Sequence, residues 1–408
     1  MRKLTLDEWE NKYILDSIEK FDEKYTGFNR PGWDPDLKSA LKDWSFVGNI
    51  KDKPGYTQLD QALRWASRWG EMIHQFNISK PNPPSLATTV MKTIRESNVT
   101  SMSLSYSPPE GVKIDANDTK RITNYLKKAA TYFGADLVNF CKLDRRWTYS
   151  RTYDGVSAVD ASCSKIVKGE SQPHEVPDKI QYAIVLGFEE EYDMIKYFPS
   201  YIADAATSRG YSNMAITNAY LTAFIQYLGY KAINATNDVA LSIPMAMQAG
   251  MGDIGRNGLL ITPNFGPRLR LSKVITDLPL EVNSPIDFGV TEFCNTCGKC
   301  AEMCPSQAIT YGERTTKPRN VSNVAGELKW PVDAEKCRKY WARSSKPCTA
   351  CIACCPYNKP DTFFHRTVRW FSDNFRWADS FYVKMDNLFG YGKSKNADNF
   401  WDKWQPER

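Results

Sequence analysis

The chain has 408 residues, 42% of them hydrophobic, and a formal net charge of +6 from 53 basic and 47 acidic side chains. That length suits one large domain plus a small one, or two to three ordinary domains, with enough apolar material for a sizeable core. The mild charge excess holds no long basic run, so it gives no footing to nucleic-acid binding. No stretch reaches the roughly 18 to 20 apolar residues that cross a bilayer.

In chain order, the opening MRKLTLDEWENKY is charged and polar and does not read as a signal peptide. A mature chain whose export signal had been removed would begin the same way. Residues 1–115 form an aromatic-rich N-terminal segment expected to cover a pocket. Phe28, Trp33, Trp44, Phe46 and Tyr56 stand in a Pro/Gly-punctuated stretch, and 58–79 has helical apolar spacing through Leu59, Leu63, Trp65, Ala66, Trp69 and Met72. Rings in such a segment either line a pocket or simply pack.

Residues 116–285 read as a mixed α and β core. Segment 116–134 is a helix that stops at Gly134, and 212–228 is a helix capped by Ser212 or Asn213 that stops at Gly229. Short apolar runs of strand type lie at 135–143, 180–188, 230–235, 258–262 and 272–276, with a helix-like 240–249 between them. Residues 361–408 form a tail with thirteen aromatic side chains, which is expected to pack on the core or on a second subunit.

Residues 286–360 carry the most specific signal. Cys294, Cys297, Cys300 and Cys304 stand as C-x2-C-x2-C-x3-C with Pro305 next, and Cys337, Cys348, Cys351 and Cys355 as C-x10-C-x2-C-x3-C with Pro356 next. The first spacing is the one by which bacterial ferredoxins hold [4Fe–4S] clusters, and the second is a stretched copy. Three thiolates two residues apart reach three iron corners from one tight loop, and the fourth points to the other cluster. On this pattern cluster one takes Cys294, Cys297, Cys300 and Cys355, and cluster two takes Cys304, Cys337, Cys348 and Cys351. The x10 gap leaves Cys354 as a competitor of Cys337. Structural zinc also uses cysteine pairs, but the Cys-Pro ending of both runs favours iron–sulfur. Cys141, Cys163 and Cys354 remain, an odd set that argues against a disulfide framework.

Gly250-Met251-Gly252-Asp253-Ile254-Gly255 satisfies G-x-G-x-x-G by letter. A dinucleotide site needs a strand before that motif and a helix after it. Here the helix-like SIPMAMQA precedes it and Arg256-Asn257-Gly258 leads into an apolar run, which argues against NAD. A glycine loop approached closely by a large flat ligand stays open.

The string AGMGDIGRNGLLITPNFGPRLRLSKVITDL at 249–278, followed by TEFCNTCGKCAEMCP and CTACIACCP, resembles the corrinoid-dependent reductive dehalogenases of organohalide respiration. The likeness runs from about residue 120 to 360 and looks close to the members that reduce chloroform and trichloroethane. It implies a nitroreductase-like α+β core that binds a corrinoid, with an inserted ferredoxin-like module of two [4Fe–4S] clusters feeding it electrons. The corrinoid of the family is base-off. None of His74, His174 and His365 stands in the D-x-H-x-x-G setting that gives cobalt an axial imidazole, which agrees with a cobalt lacking a histidine ligand.

Carried onto this chain, the family's catalytic residues fall on Tyr211, Arg270 and Asn237. Pocket positions fall on Thr207 and Trp341, joined by Trp44 and Phe46 from the aromatic segment, and Gly250, Gly252, Gly255 and Arg256 are candidates for corrinoid contact. Replacing C–Cl by C–H takes two electrons and one proton. A phenol with an ordinary pKa of about 10 is a poor acid at neutral pH, and a neighbouring guanidinium eases its proton release. An amide such as Asn237 donates hydrogen bonds to a departing chloride without adding charge. The resemblance further implies a small chlorinated hydrocarbon as substrate, a small membrane-anchor protein as partner, and a peripheral place at the outer face of the cytoplasmic membrane after export. A homodimer is open, and the electron donor is not indicated. The competing readings are an epoxyqueuosine reductase, which shares the modules but acts on tRNA, and a two-cluster electron carrier without catalysis.

Overall fold

A computed structural model describes residues 1–41, 50–68, 70–71, 112–153, 171–344, 347–360 and 362–405. Its centre is the strand Tyr182–Glu189, whose run YAIVLGFE is almost wholly buried. Alternation sends Ala183 and Val185 to one face of the sheet and Ile184, Leu186 and Phe188 to the other. Both faces are covered, which is why the strand reads as a continuous apolar run.

Four antiparallel strands make the sheet in the order Leu137–Lys142, Tyr182–Glu189, Leu269–Thr276, Ala232–Ala235. The helices Thr119–Tyr132 and Tyr201–Tyr227 pack on one face, through Leu126 and Leu221 among others. The helices Leu6–Tyr13 and Ser242–Gln248 pack on the other, with Trp9, Tyr13 and Met245 in the same core as Trp147. The α+β architecture expected from the sequence is the one observed. The strand expected at 272–276 begins three residues earlier, at Leu269, which brings Arg270 into the sheet.

The helix expected at 212–228 runs instead from Tyr201 to Tyr227, and its cap is Ser200, whose side chain accepts from the Ala203 amide. Asp204, Ser208 and Gly210 hide the first three turns from a periodicity reading, because that half of the helix is buried nearly all round. Ser212 is therefore no cap: its hydroxyl donates to the Ser67 carbonyl at 2.7 Å and accepts from the Glu71 amide at 3.1 Å. Gly229, with φ +88°, does end the helix in the left-handed conformation that glycine permits.

The described part of the N-terminal segment is more than a cover. Arg2–Lys3 pairs with Ile286–Asp287, and the Tyr13 hydroxyl donates to Asp253 Oδ1 at 2.6 Å. The helix Gln58–Ser67 docks on the long helix through the ion pair of Arg64 with Asp204. In the tail, Phe400 is buried against Tyr197 and stacks on Trp404 at 5.3 Å, and Trp401 Nε1 donates to Asp60 Oδ1 at 2.9 Å. Between these anchors, Phe363, Trp370, Trp377, Phe381 and Phe389 stay exposed. No helix among the described residues is long and apolar enough to cross a membrane.

The Arg64–Asp204 pair is buried at both ends, with side chains 3% and 0% exposed. Removing one partner leaves a buried charge uncompensated, at a typical cost of about 3–5 kcal/mol. Asp204→Ala is therefore expected to lower unfolding stability by about that amount, read from the urea midpoint of the purified chain.

Candidate active site

Strand alternation places Arg270, Ser272 and Val274 on the sheet face covered by the long helix. Ser272 Oγ donates to Asn218 Oδ1 on that helix at 2.6 Å, and Val274 packs there with Met214 and Leu221. Arg270 thus lies under Tyr211, its guanidinium carbon 5.0 Å from the centre of the phenol ring. Arg270 Nε donates to Glu190 Oε1 at 2.7 Å. Burial opposes the charge on Arg270, but Glu190 and Tyr211 outweigh it and hold the group in its charged form, with its pKa raised.

A second arginine reaches the same ring from the N-terminal segment: the Arg68 guanidinium carbon is 6.0 Å from the Tyr211 centre, and Arg68 Nε stands 2.8 Å from Glu71 Oε2. Burial raises the pKa of the Glu71 carboxyl, with Arg68 and Arg270 acting in the other direction. Thr207 sits one turn before Tyr211 on the same helix face. It is 2% exposed, and its hydroxyl has no hydrogen-bond partner among the described residues. Trp341 meets Phe28 edge-on at 5.7 Å and Arg338 at 5.5 Å, and Arg338 is an electrostatic neighbour of Tyr211. The buried Trp341 Nε1 also has no partner among the described residues.

The structure thus brings Tyr211, Arg270, Thr207 and Trp341 into one region. Asn237 has no hydrogen bond to them among the described residues, but the sheet register carries it toward Arg270: Ala235 pairs with Lys273, two residues before it. Asn237 is exposed, and its carbonyl accepts from the Tyr149 hydroxyl at 3.1 Å. Trp44 and Phe46 lie outside the described residues. Glu190, Glu71, Arg68 and Arg338 are the members that the sequence reading missed. Glu190 sits in the run Glu189-Glu190-Glu191, which looks solvated yet leaves Glu190 fully buried. Arg338 follows Cys337 and stands three residues before Trp341, a helical spacing that was readable.

The glycine loop needs correcting. Gly250, at φ +69°, faces the Ser284 carbonyl so closely that a Cβ would lie 2.0 Å from it, and a Cβ on Gly252 would lie 2.2 Å from the Ile261 carbonyl. A Cβ on Gly255 would meet the Ile261 side chain at 2.8 Å. On the side where a Cβ would stand, these glycines let the protein's own chain pass close. Arg256 Nε donates to the Cys294 carbonyl at 3.0 Å, and its Nη1 donates to the carbonyls of Thr310 and Gly312 at 2.9 and 3.0 Å. Asn257 Nδ2 donates to the Cys351 carbonyl at 3.3 Å. The loop braces both cysteine runs against the core, so Arg256 is committed to protein carbonyls.

The cysteines fall into two groups. Cys294, Cys297, Cys300 and Cys355 line one cavity. Cys337 has Cys348 and Cys304 as its electrostatic neighbours, and Cys351 has Cys348 and Cys337. Burial pushes the thiols of Cys294 and Cys337 up to about 12 and that of Cys348 up to about 11. Buried thiols gathered this way ionise unfavourably without a metal to take their charge, and iron supplies that charge. Among the described residues no three His, Cys, Asp or Glu side chains converge on a single-ion site, and a four-iron cluster with one thiolate per iron does not require that. Cys354 is buried, with its Sγ 3.9 Å from the Lys299 carbonyl. Cys337 thus has Cys304 and Cys348 for neighbours, whereas Cys354 has Cys351, Cys355 and Cys297. Cys351 packs in the cluster that holds Ala205 and Ala206, on the long helix ahead of Tyr211.

Residues 293–358 match the family model described as a 4Fe-4S double cluster binding domain. The chain is 35% identical to the tetrachloroethene reductive dehalogenase of Sulfurospirillum multivorans, over 95% of this chain and 83% of that one. It is 38% identical to the tetrachloroethene reductive dehalogenase of Desulfitobacterium hafniense, over 67% of this chain and 54% of that one, so it spans about half of that relative's length. The fold superposes with a TM-score of 0.71 on a solved reductive dehalogenase described as carrying out B12-dependent dehalogenation, at 23% identity, covering 98% of this chain and 50% of the other.

Cys337→Ser is expected to cost the protein one cluster, about four iron atoms per chain in anaerobic metal analysis. Cys354→Ser is expected to keep the full iron content.

Proposed function

The chain belongs to the reductive dehalogenase family of corrinoid- and iron–sulfur-dependent oxidoreductases, and from that premise we propose that it replaces chlorine by hydrogen in small chlorinated alkanes of the chloroform and trichloroethane type. The observation that carries this reading is the placement of Tyr211 over Arg270, on a long helix whose Ala205 and Ala206 share a packed cluster with Cys351. One stretch of that helix meets the module that would carry electrons and another holds a proton. Bound near this helix, a base-off corrinoid would pass the electrons of the two clusters to the carbon–halogen bond.

The rest of the reaction belongs to this chain's own side chains. Tyr211 Oη donates the proton that the new C–H bond needs. Arg270 carries a fixed positive charge beneath the ring, so the phenolate left behind is compensated at once. Thr207 and Trp341, each with a buried and unmatched polar atom, wall the substrate space with Phe28. A compact apolar chlorocarbon binds there mainly by burying apolar surface. Asn237, at the exposed end of its strand, is kept as a third member that reaches the leaving chloride. As the terminal step of organohalide respiration the protein works at the outer face of the cytoplasmic membrane, held by a small anchor protein, and the exposed rings between Phe363 and Phe389 supply a surface for that partner or for a second copy.

Tyr211→Phe is expected to lower kcat for chloroform reduction by roughly 100-fold or more, the usual contribution of a positioned general acid, while leaving metal content unchanged. Full activity in that variant removes Tyr211 from the reaction. The loaded protein is expected to hold about eight iron and one cobalt per chain; iron without cobalt after reconstitution with a cobamide leaves only an electron carrier.

A further inference from the structure

We infer that Glu190 and Gly210 are positioning residues for Arg270, one gripping its head and the other giving passage to its stem; this rests on the reading of Tyr211 and Arg270 as the reacting pair. Two separate observations carry it. Glu190 stands just past the strand Tyr182–Glu189 and is 0% exposed. Its backbone is fixed from both sides, the amide donating to the Arg268 carbonyl at 3.3 Å and the carbonyl accepting from Arg268 Nη1 at 2.7 Å. From that fixed base Oε1 accepts from Arg270 Nε. A guanidinium held at Nε is fixed in its plane, which leaves both terminal amino groups to present toward the phenol. Glu190 Oε2 is buried with no hydrogen-bond partner among the described residues. Leaving a carboxylate oxygen so unmet is costly, and the grip on Arg270 is what the position gains.

The second observation concerns the helix. Gly210 is the one glycine among the 27 residues of Tyr201–Tyr227, and it immediately precedes Tyr211. Glycine in mid-helix weakens the helix relative to alanine. A Cβ built there would stand 2.8 Å from Arg270 Cγ, 3.5 Å from Arg270 Cβ and 3.8 Å from Glu190 Cγ. The atoms it would strike belong to the root of the arginine stem, not to its mobile end. The bare Cα is what lets the stem cross the helix at the level of the phenol. Glu190 and Gly210 therefore act through Arg270, and neither needs to touch substrate.

Gly210→Ala tests this with every charge left in place. The holoenzyme variant, assayed with chloroform and a reduced viologen, is expected to keep its iron and cobalt. Its thermal midpoint should stay close to the parent's, since the helical preference of alanine offsets part of the cost of the close contact. Its kcat should fall about 10- to 100-fold, the scale of an ångström-sized misplacement, with KM little changed, and its crystal structure should show the guanidinium moved off the Tyr211 ring. Glu190→Leu should lose kcat similarly, and Glu190→Gln, which keeps an acceptor at the same place, should recover most of it. In an Arg270→Lys background, Gly210→Ala should cost nothing further. Parental kcat in Gly210→Ala, an equal loss in both backgrounds, or Glu190→Gln as poor as Glu190→Leu overturns the positioning role. Parental kcat in Arg270→Lys itself defeats the catalytic reading, a result distinguishable from an active Gly210→Ala beside an inactive Arg270→Lys.

Discussion

Arg270 stands on a central strand with its side chain only 21% exposed, so most of its charge is met inside the protein. The strand Leu269–Thr276 is central in the sheet, and alternation points Arg270 toward the long helix. Glu190 from the neighbouring strand's end and Tyr211 from the helix meet it there. A cation in that place is expensive without partners and useful with them. The sheet register supplies the first partner, Phe188 pairing with Arg270 and Glu190 standing two residues on, and the packing of the long helix supplies the second. The chemistry proposed for the protein depends on this one compensated charge.

The iron–sulfur module is tied to that charge by its surroundings. Arg256 and Asn257 reach from the glycine loop to the carbonyls of Cys294 and Cys351, one in each cysteine group. Lys299 and Lys359 both bind Asp386 of the tail, beside Cys300 and Cys354. The core, the module and the tail are thus fastened around the thiols. A relay needs its stations at fixed separations, and hydrogen bonds to backbone carbonyls fix them without adding redox-active groups.

Some of the site was legible before folding was considered. The two cysteine runs with their prolines name the cofactor because thiolate spacing is set by the cluster's own geometry. The strand 182–189 and the helix end at Gly229 were legible for similar local reasons. The glycine motif was legible as a pattern, but only the packed chain shows Ser284 and Ile261 passing close against Gly250 and Gly252. The start of the long helix escaped because buried Asp204 and Gly210 break the apolar rhythm.

The cysteine spacing and the apolar patterning were enough to indicate two iron–sulfur clusters on an α+β core, and the motifs pointed to the family. Both follow from short-range order, in spacing along a loop and alternation along a strand. The sequence by itself did not determine which acidic residue holds Arg270, nor which cysteine packs against the long helix. Those are matters of register and crossing between segments 54 to 140 residues apart. No local pattern records them, because the free energy that selects them is released only when the sheet, the long helix and the cluster module bury their charges against one another.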